Sequence, residues 1–205
     1  MYAHLAATSE TLRQFVLAGM QADVGTSGLA GPFGGIYQVS LSTPQEMVQQ
    51  PQQGVSIWLY RVVRDETRLN DPPLVRPLAN GQVEIVPPPL PLRLHYLVTP
   101  VIDNGPNMEQ RILGRVLQLF HSTPTLSGAW LRDELAGTEA QIHVRLEALS
   151  LDEIARVWEA LEGSYQLCIS YEVTLANIDT LALPSRGVPV ESARVDWAVL
   201  VGEEA

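Results

Sequence analysis

Short stretches in which apolar and polar residues alternate recur along the chain, as in β-strands that turn one face to a core. Residues 55–63 are apolar on both faces and predict a central strand that is covered on two sides. Residues 142–149 alternate cleanly and predict a half-exposed strand. The remaining predicted strands lie at 37–41, 92–101, 167–175 and 193–201.

Three segments repeat apolar residues with the period of a helix. The first covers about 8–21, and either Thr8 or Ser9 is predicted to cap it. The second covers about 107–121 and follows an Asn-Gly-Pro turn. The third covers about 150–163 and begins with a Ser-x-x-Glu capping box, which predicts its start well.

Stretches rich in Gly, Gln or Pro are predicted as connections between these elements. Residues 25–35 hold five glycines and predict a flexible connection, and no lysine follows them as in a phosphate-binding loop. Residues 43–53 predict a surface loop, and the prolines of 64–80 predict a long loop without regular structure. The proline run 87–91 is either a ligand for a proline-recognition domain or a stiff lead-in to the next strand, and the second is favoured.

Four to six strands with about three interspersed helices predict an α+β fold. We expect a mixed, mainly antiparallel sheet that is packed by a layer of helices. One domain is predicted over residues 1–205, with its core at about 5–180. Residues 181–205 are predicted as a C-terminal strand or arm that makes assembly contacts.

Composition and charge narrow the possible partners. The chain of 205 residues is 46% hydrophobic and 18% charged, which suits a folded domain with a proper core. Its net charge of −10 argues against nucleic acid, because a phosphate backbone needs a basic surface. No apolar run is long enough to span a bilayer, and the N-terminus does not resemble a signal peptide. We therefore expect no membrane partner and a cytoplasmic location.

Few residues suggest a catalytic or metal-binding site. The single cysteine, Cys168, excludes an internal disulfide and is predicted to be buried. His95 and His143 lie on polar strand faces that neighbouring strands could bring together, although a solvated or interface role is favoured. The adjacent acids at 133–134 and 152–153 fit helix N-terminal charges. Without a nucleophile elbow or a dinucleotide motif, the sequence predicts no enzyme, no catalytic residue, no cofactor and no metal.

Five motifs occur in a defined order and spacing along most of the chain. They are Leu59-Tyr-Arg-Val62, Arg68-Leu-Asn70 before paired prolines, residues 88–99, residues 109–121, and residues 146–158 continuing to 173. Together they resemble the cap-protein family of extracellular contractile injection systems, of the virulence-cassette and antifeeding-prophage type. The resemblance spans about residues 5–200 and weakens at 25–35 and 44–53.

The resemblance implies a tail-terminator-like fold and a structural role. The family's members form a ring, a hexamer, which closes the distal end of the inner tube and sheath of a particle. The implied partners are other copies of the chain, the inner tube protein and the sheath protein. The implied particle is assembled in the cytoplasm, and its release from the cell or retention inside it stays open. Two alternatives stay open, a tail-terminator or completion protein of a contractile-tailed phage, and a small hydrolase or ligand-binding domain with a concave pocket.

Two segments carry the candidate interface residues. Three arginines beside or within the loop after the central strand are either solvated or form a rim that pairs with acids of a neighbour or of the tube. The alternation at 193–201 predicts a strand that could extend a neighbour's sheet. The candidate residues are Arg61, Arg64, Arg68, Asn70, Arg194, Asp196 and Trp197.

Overall fold

The structure, a computed structural model, describes residues 3–22, 38–103, 105–178 and 181–187. Its α-helices are α1 (His4–Ala22), α2 (Pro44–Gln49), α3 (Pro106–Ser122) and α4 (Leu151–Ala160). Its strands are β1 (Gln38–Ser40), β2 (Gly54–Arg64), β3 (Leu74–Pro77), β4 (Val83–Val86), β5 (Leu90–Val101), β6 (Thr125–Ser127), β7 (Gln141–Glu147), β8 (Ile169–Ile178) and β9 (Ser185–Gly187). Short 3-10 turns cover Glu66–Arg68, Gly128–Trp130 and Asp133–Leu135.

The strands form two sheets. The larger has the order β1-β2-β5-β8-β7-β6, and its neighbours are antiparallel except for the parallel pair β1 and β2. The smaller has the antiparallel order β3-β4-β9. The prediction of an α+β fold with a mixed, mainly antiparallel sheet is therefore confirmed.

The chain divides into two compact units, residues 1–70 with 89–179 and residues 71–88 with 180–205. The larger unit holds the six-stranded sheet and all four helices of the described residues. The smaller unit holds the three-stranded sheet. The division into a core at 5–180 and an assembly arm at 181–205 stays a prediction.

Helices α1 and α3 cover one face of the larger sheet. Their apolar stripes meet every second residue of the strands, because side chains alternate across a sheet. The rings of Phe15 and Phe120 lie 5.5 Å apart between the two helices. The core there includes Leu12, Phe15, Val16, Ile112, Val116, Phe120, Leu94, Tyr96, Val98, Ile142 and Val173.

Helix α4 covers part of the opposite face. Ser150 and Glu153 form the predicted capping box at its start. Trp158 is buried against Leu97 and Cys168, and its indole nitrogen lies 3.4 Å from the sulfur. Cys168 is therefore buried as predicted, and burial raises the pKa of its thiol.

The start of the first helix differs from the prediction. Helix α1 begins at His4, so Thr8 and Ser9 lie inside it and do not cap it. Their hydroxyls donate to the carbonyl oxygens of His4 and Leu5, at 2.7 Å and 3.1 Å. The same residue types cap helices and bond back to the preceding turn, which is why the sequence was misread here.

Two segments that were predicted as loops contain regular structure. Helix α2 begins with a capping box between Thr43 and Glu46 and has Pro44 in its first turn. The Thr-Pro-x-Glu sequence at 43–46 carries both signals of a helix start, a capping box and a proline in the first turn. Strand β3 forms despite the prolines, since Pro77 ends a strand at the edge of its sheet, where no amide donor is needed.

Two sequence predictions, those for 25–35 and 193–201, lie outside the described residues. Among the helices that the structure describes, none is long and apolar enough to cross a membrane.

Candidate functional site

Two rows of side chains cross the face of the larger sheet that α4 leaves partly uncovered. Paired residues on neighbouring strands share a face, so the strand register sets the composition of each row. The first row runs Arg61, His95, Glu172 and Arg145. The second row runs Trp58, Leu97, Ser170 and Glu147. The sheet thereby gathers charged residues that lie far apart in the sequence.

A β-bulge directs one more polar group onto this face. Leu59 pairs with Tyr96 while Arg61 pairs with His95, so Tyr60 is an extra residue in β2. Such a bulge changes the direction in which the following side chains point. The Tyr60 hydroxyl consequently reaches the second row, where it donates to Glu147 Oε2 at 3.2 Å.

Tyr60, His95, Glu147 and Ser170 form what we call the polar cluster. Glu147 is its centre, since the Ser170 hydroxyl donates to Oε2 at 2.7 Å and His95 Nδ1 lies 3.0 Å from Oε1. The Tyr60 hydroxyl also lies 3.1 Å from the Ser170 oxygen. His95 is only 5% exposed, so it is neither solvated nor an interface residue, in contrast to the prediction.

The cluster holds Glu147 in its ionised form. Burial by itself raises the pKa of Glu147, but the hydrogen bonds from His95 and Ser170 outweigh it and leave the pKa below its usual value. An ionised carboxylate only accepts hydrogen bonds, so Nδ1 of His95 carries the hydrogen. Burial also raises the pKa of Tyr60 to about 12, so this phenol stays protonated as a donor.

An alternating chain of arginines and carboxylates borders the cluster. Arg93 donates to Asp65 Oδ1 at 2.7 Å and lies 3.9 Å from Glu172. Arg145 donates to the other oxygen of Glu172 at 2.9 Å. Asp65 also accepts from the backbone and hydroxyl of Thr67, at 3.0 Å and 2.7 Å. Every carboxylate in this region therefore has a cationic or hydroxyl partner, which makes the network largely self-neutralising.

The ion pair of Arg93 and Asp65 predicts a pH-dependent stability. The hydrogen bond from Arg93, supported by Thr67, lowers the pKa of Asp65 to about 2, against about 3.9 in an unfolded chain. Because the folded pKa is the lower one, this stabilisation is complete above about pH 4 and is lost as the pH falls towards 2. Replacing Arg93 with glutamine should lower the free energy of unfolding at neutral pH by about 1–2 kcal/mol in urea denaturation.

A suitable control for this variant is Arg111→Gln. Arg111 is exposed on α3 and has no ion pair within the described part of the chain, so its loss should change stability by less than about 0.5 kcal/mol. The difference between the wild type and Arg93→Gln should shrink as the pH approaches 2. A difference that stays constant with pH would contradict the assignment of the ion pair.

The polar cluster lacks the order of a catalytic triad. In a triad the histidine stands between the hydroxyl and the carboxylate, so that it can take the proton of the hydroxyl. Here Ser170 and His95 both bind Glu147, and no contact joins the Ser170 hydroxyl to the imidazole. The geometry fits a brace between strands better than a nucleophile with its base.

One group of residues has the composition of a metal site. One ligand atom each from His95, Glu147 and Glu172 lies within 4.8 Å of the others. Both carboxylates have protein partners already, Glu147 the Nδ1 of His95 and Glu172 the two arginines, whereas the buried Nε2 of His95 has no hydrogen-bond partner among the described residues. A cation would have to compete with Arg93 and Arg145 for Glu172, and their positive charge opposes it.

The structure separates the predicted interface residues. Arg61 lies within β2, inside the predicted central strand, whereas Arg64 ends β2 and was predicted in the loop that follows. Arg68 ends the 3-10 turn Glu66–Arg68. Arg61 shares the face of His95, whereas Arg64 pairs with Leu92 on the face of α1 and α3. Both side chains are exposed, as is Asn70. The remaining three candidates, Arg194, Asp196 and Trp197, lie outside the described residues.

The two strand histidines do not meet. His143 is exposed on β7 and lies 3.0 Å from the Thr125 hydroxyl, while His95 binds Glu147. Strand β8 lies between them, where His143 pairs with Thr174 and His95 with Glu172.

Comparison with known proteins identifies the family. Residues 7–192 match the model of the Pvc16 N-terminal domain, which is most of the chain. The chain belongs to the Pvc16 N-terminal domain family. The predicted resemblance to the cap proteins of contractile injection systems is thereby confirmed. No curated protein matches this family member significantly.

Two solved structures share the fold of this family member. The first is the sheath/tube terminator, in the extended state, of a PVC extracellular contractile injection system. It has a TM-score of 0.57 and 16% identity, with 94% of this chain and 64% of that chain covered. The second is the tube-terminating cap of the anti-feeding prophage, with a TM-score of 0.55, 16% identity, and 96% and 61% covered. The chain thus spans less than two thirds of either relative's length.

Proposed function

We propose that the chain is a cap protein of a phage-tail-like contractile injection system, which ends the inner tube and the sheath and stabilises their distal end. The family match over residues 7–192 carries this proposal. The shared fold supports it, since both similar structures are terminators, one of sheath and tube and one of tube. The particle is assembled in the cytoplasm and then released.

The cap acts as a homo-hexameric ring that contacts the inner tube protein and the sheath protein. In such a ring one patch of each copy meets a different patch of the next, and the rotation closes. One patch runs along β2 and the turn after it, with the exposed Arg61, Arg64 and Asn70 and the half-buried Arg68. The other patch is supplied by Arg194, Asp196 and Trp197. The net charge of −10 speaks against nucleic acid as a further partner.

The cap performs no reaction of its own. The polar cluster ties β2, β5, β7 and β8 together through side chains in addition to their backbone hydrogen bonds. A ring that closes a tube needs subunits whose contact surfaces keep a fixed geometry, and a braced sheet provides it. Its carboxylates are satisfied within the fold, which supports a structural role for the cluster.

Particles assembled without this protein test the proposal. We expect tubes and sheaths of variable length, or sheaths that contract early, because their distal end is no longer closed. Electron micrographs of particles from the deletion strain and from the complemented strain measure both effects. Complementation with Arg111→Gln, which alters an exposed residue of α3 that belongs to neither proposed patch, serves as the matched control and should restore the normal length. Unaltered particles in the deletion strain would overturn the proposed function.

A further inference from the structure

Strand β2 has a partly open edge. Strand β1 pairs only with Gly54–Ser56, at the beginning of β2. From Ile57 to Arg64, β2 is paired with β5 on one side, and no other described strand pairs with its second side. About half of the backbone N–H and C=O groups of these eight residues point to the open side. Such an edge is a template for another strand.

The side chains on this edge favour an acidic partner. Arg61 and Arg64 are exposed, and neither forms an ion pair with another residue that the structure describes. Positive charges on an edge discourage pairing with a neutral or basic strand, which protects the protein from aggregation. They attract a strand that carries carboxylates.

A pocket lies next to the open edge, on the side of α4. Its volume is about 320 Å³, and its lining includes Trp58, Tyr60, Val157 and three charged residues, Arg61, Glu153 and Arg156. It therefore offers apolar and aromatic walls beside two guanidinium groups and one carboxylate. A strand added to β2 would turn every second side chain towards this face. A large apolar side chain near an acid would suit the pocket best.

Residues 193–204 have the matching chemistry. Val195, Trp197 and Val199 alternate with Arg194, Asp196 and Ala198, as in a half-buried strand, and Leu200 and Val201 end this pattern with two apolar residues in succession. Asp196, Glu203 and Glu204 supply carboxylates, against Arg194 as the one basic residue of the segment. The segment lies outside the described residues.

We propose that residues 193–204 of a second copy of the chain add as a strand to the open edge of β2, with their acids on Arg61 and Arg64 and an apolar side chain in the adjacent pocket. The inference rests on the proposed ring and names its subunit contact. Because the donated segment and the accepting edge are different surfaces, the contact is heterologous and can close a ring.

Charge reversal with rescue tests this contact. The variant Arg61→Glu/Arg64→Glu and the variant Glu203→Arg/Glu204→Arg should each weaken self-association at least about tenfold, measured by sedimentation at low salt. Their combination should recover most of the affinity, because the charges are then exchanged across the same contact. The pair Arg76→Glu/Arg111→Glu changes the net charge equally at exposed positions on β3 and α3, and should leave self-association within about twofold of the wild type.

Hydrogen exchange decides whether the edge is free before assembly. The amides of residues 57–64 that face the open side should exchange fast in the dilute monomer and at least about tenfold more slowly in the ring. Slow exchange in the monomer would mean that the chain covers its own edge, and would overturn the inference.

The results of these experiments distinguish a failure of the proposed strand contact from a failure of the proposed capping function. A ring that forms and caps particles normally in both charge-reversal variants overturns the strand addition and leaves the capping function intact. Loss of capping in Arg61→Glu/Arg64→Glu without loss of the ring assigns the edge to the sheath or the tube, and also overturns the inference. A deletion strain with unaltered particles refutes the capping function itself.

Discussion

Replacing Glu147 with alanine is expected to lower the free energy of unfolding by about 3 kcal/mol. The carboxylate accepts hydrogen bonds from Tyr60, His95 and Ser170, and its removal leaves these groups without their common acceptor in a largely buried region. The cost of such a loss is the desolvation of several polar groups at once. Urea denaturation, followed by circular dichroism, measures the change as a lower midpoint at an unchanged slope.

Two further variants separate the role of the cluster from the loss of a glutamate. Glu139→Ala removes the same side chain at an exposed position and should change stability by less than about 0.5 kcal/mol. Glu147→Gln keeps an acceptor of similar shape but loses the charge beside His95. Its loss of stability should therefore lie between those of Glu139→Ala and Glu147→Ala. If Glu147→Ala proves as mild as Glu139→Ala, the cluster does not brace the sheet.

Replacing Gly54 with alanine is expected to cost about 3 kcal/mol or more and to detach β1 from the sheet. Gly54 has a φ of 154°, a conformation that residues with a side chain rarely adopt. A Cβ atom at this position would overlap the backbone carbonyl of Gln38, its partner in β1. Backbone atoms cannot turn aside as a side chain can, so the strand pair must separate.

The matching control for this variant is a second glycine to alanine change. Gly114 lies on the exposed side of α3, and a Cβ atom there would have no neighbour within 4 Å. Gly114→Ala should therefore stabilise the protein by about 0.5–1 kcal/mol, because alanine favours a helix. Unfolding curves of both variants check that Gly54→Ala lowers the free energy of unfolding and that Gly114→Ala raises it. A Gly54→Ala protein as stable as the wild type would contradict the close approach of β1 and β2.

The sequence predicted those helices and strands whose start signals and apolar periodicity lie within a few neighbouring residues. Helix α4 combines a capping box with a regular apolar stripe, and α3 follows a turn and carries Ile112, Val116 and Phe120 on its buried side. The first part of β7 alternates as predicted, with Ile142 and Val144 buried and His143 exposed, whereas Leu146, predicted on the buried face, is exposed. Propensity, period and cap agree in these elements, so the sequence alone sufficed.

The polar cluster could not be predicted in this way, since it depends on which strands pair and in what register. His95 and Glu147 are 52 residues apart, and Ser170 follows 23 residues after Glu147. Each looked like an ordinary polar position on an alternating strand. Only the order β5-β8-β7, with a bulge at Tyr60, brings them together and buries them. The family resemblance predicted the fold but not these contacts.

The position of β5 has a mechanical consequence. This strand of 12 residues is bonded along most of its length to β2 on one side and β8 on the other, both antiparallel to it. A pull along β5 would load these hydrogen bonds in shear, so that they share the force and break together. The three-residue strands β1 and β6 at the sheet edges have few bonds each and would peel off one bond at a time. Under tension the sheet is therefore expected to yield from its rims inward, with the middle strand released last.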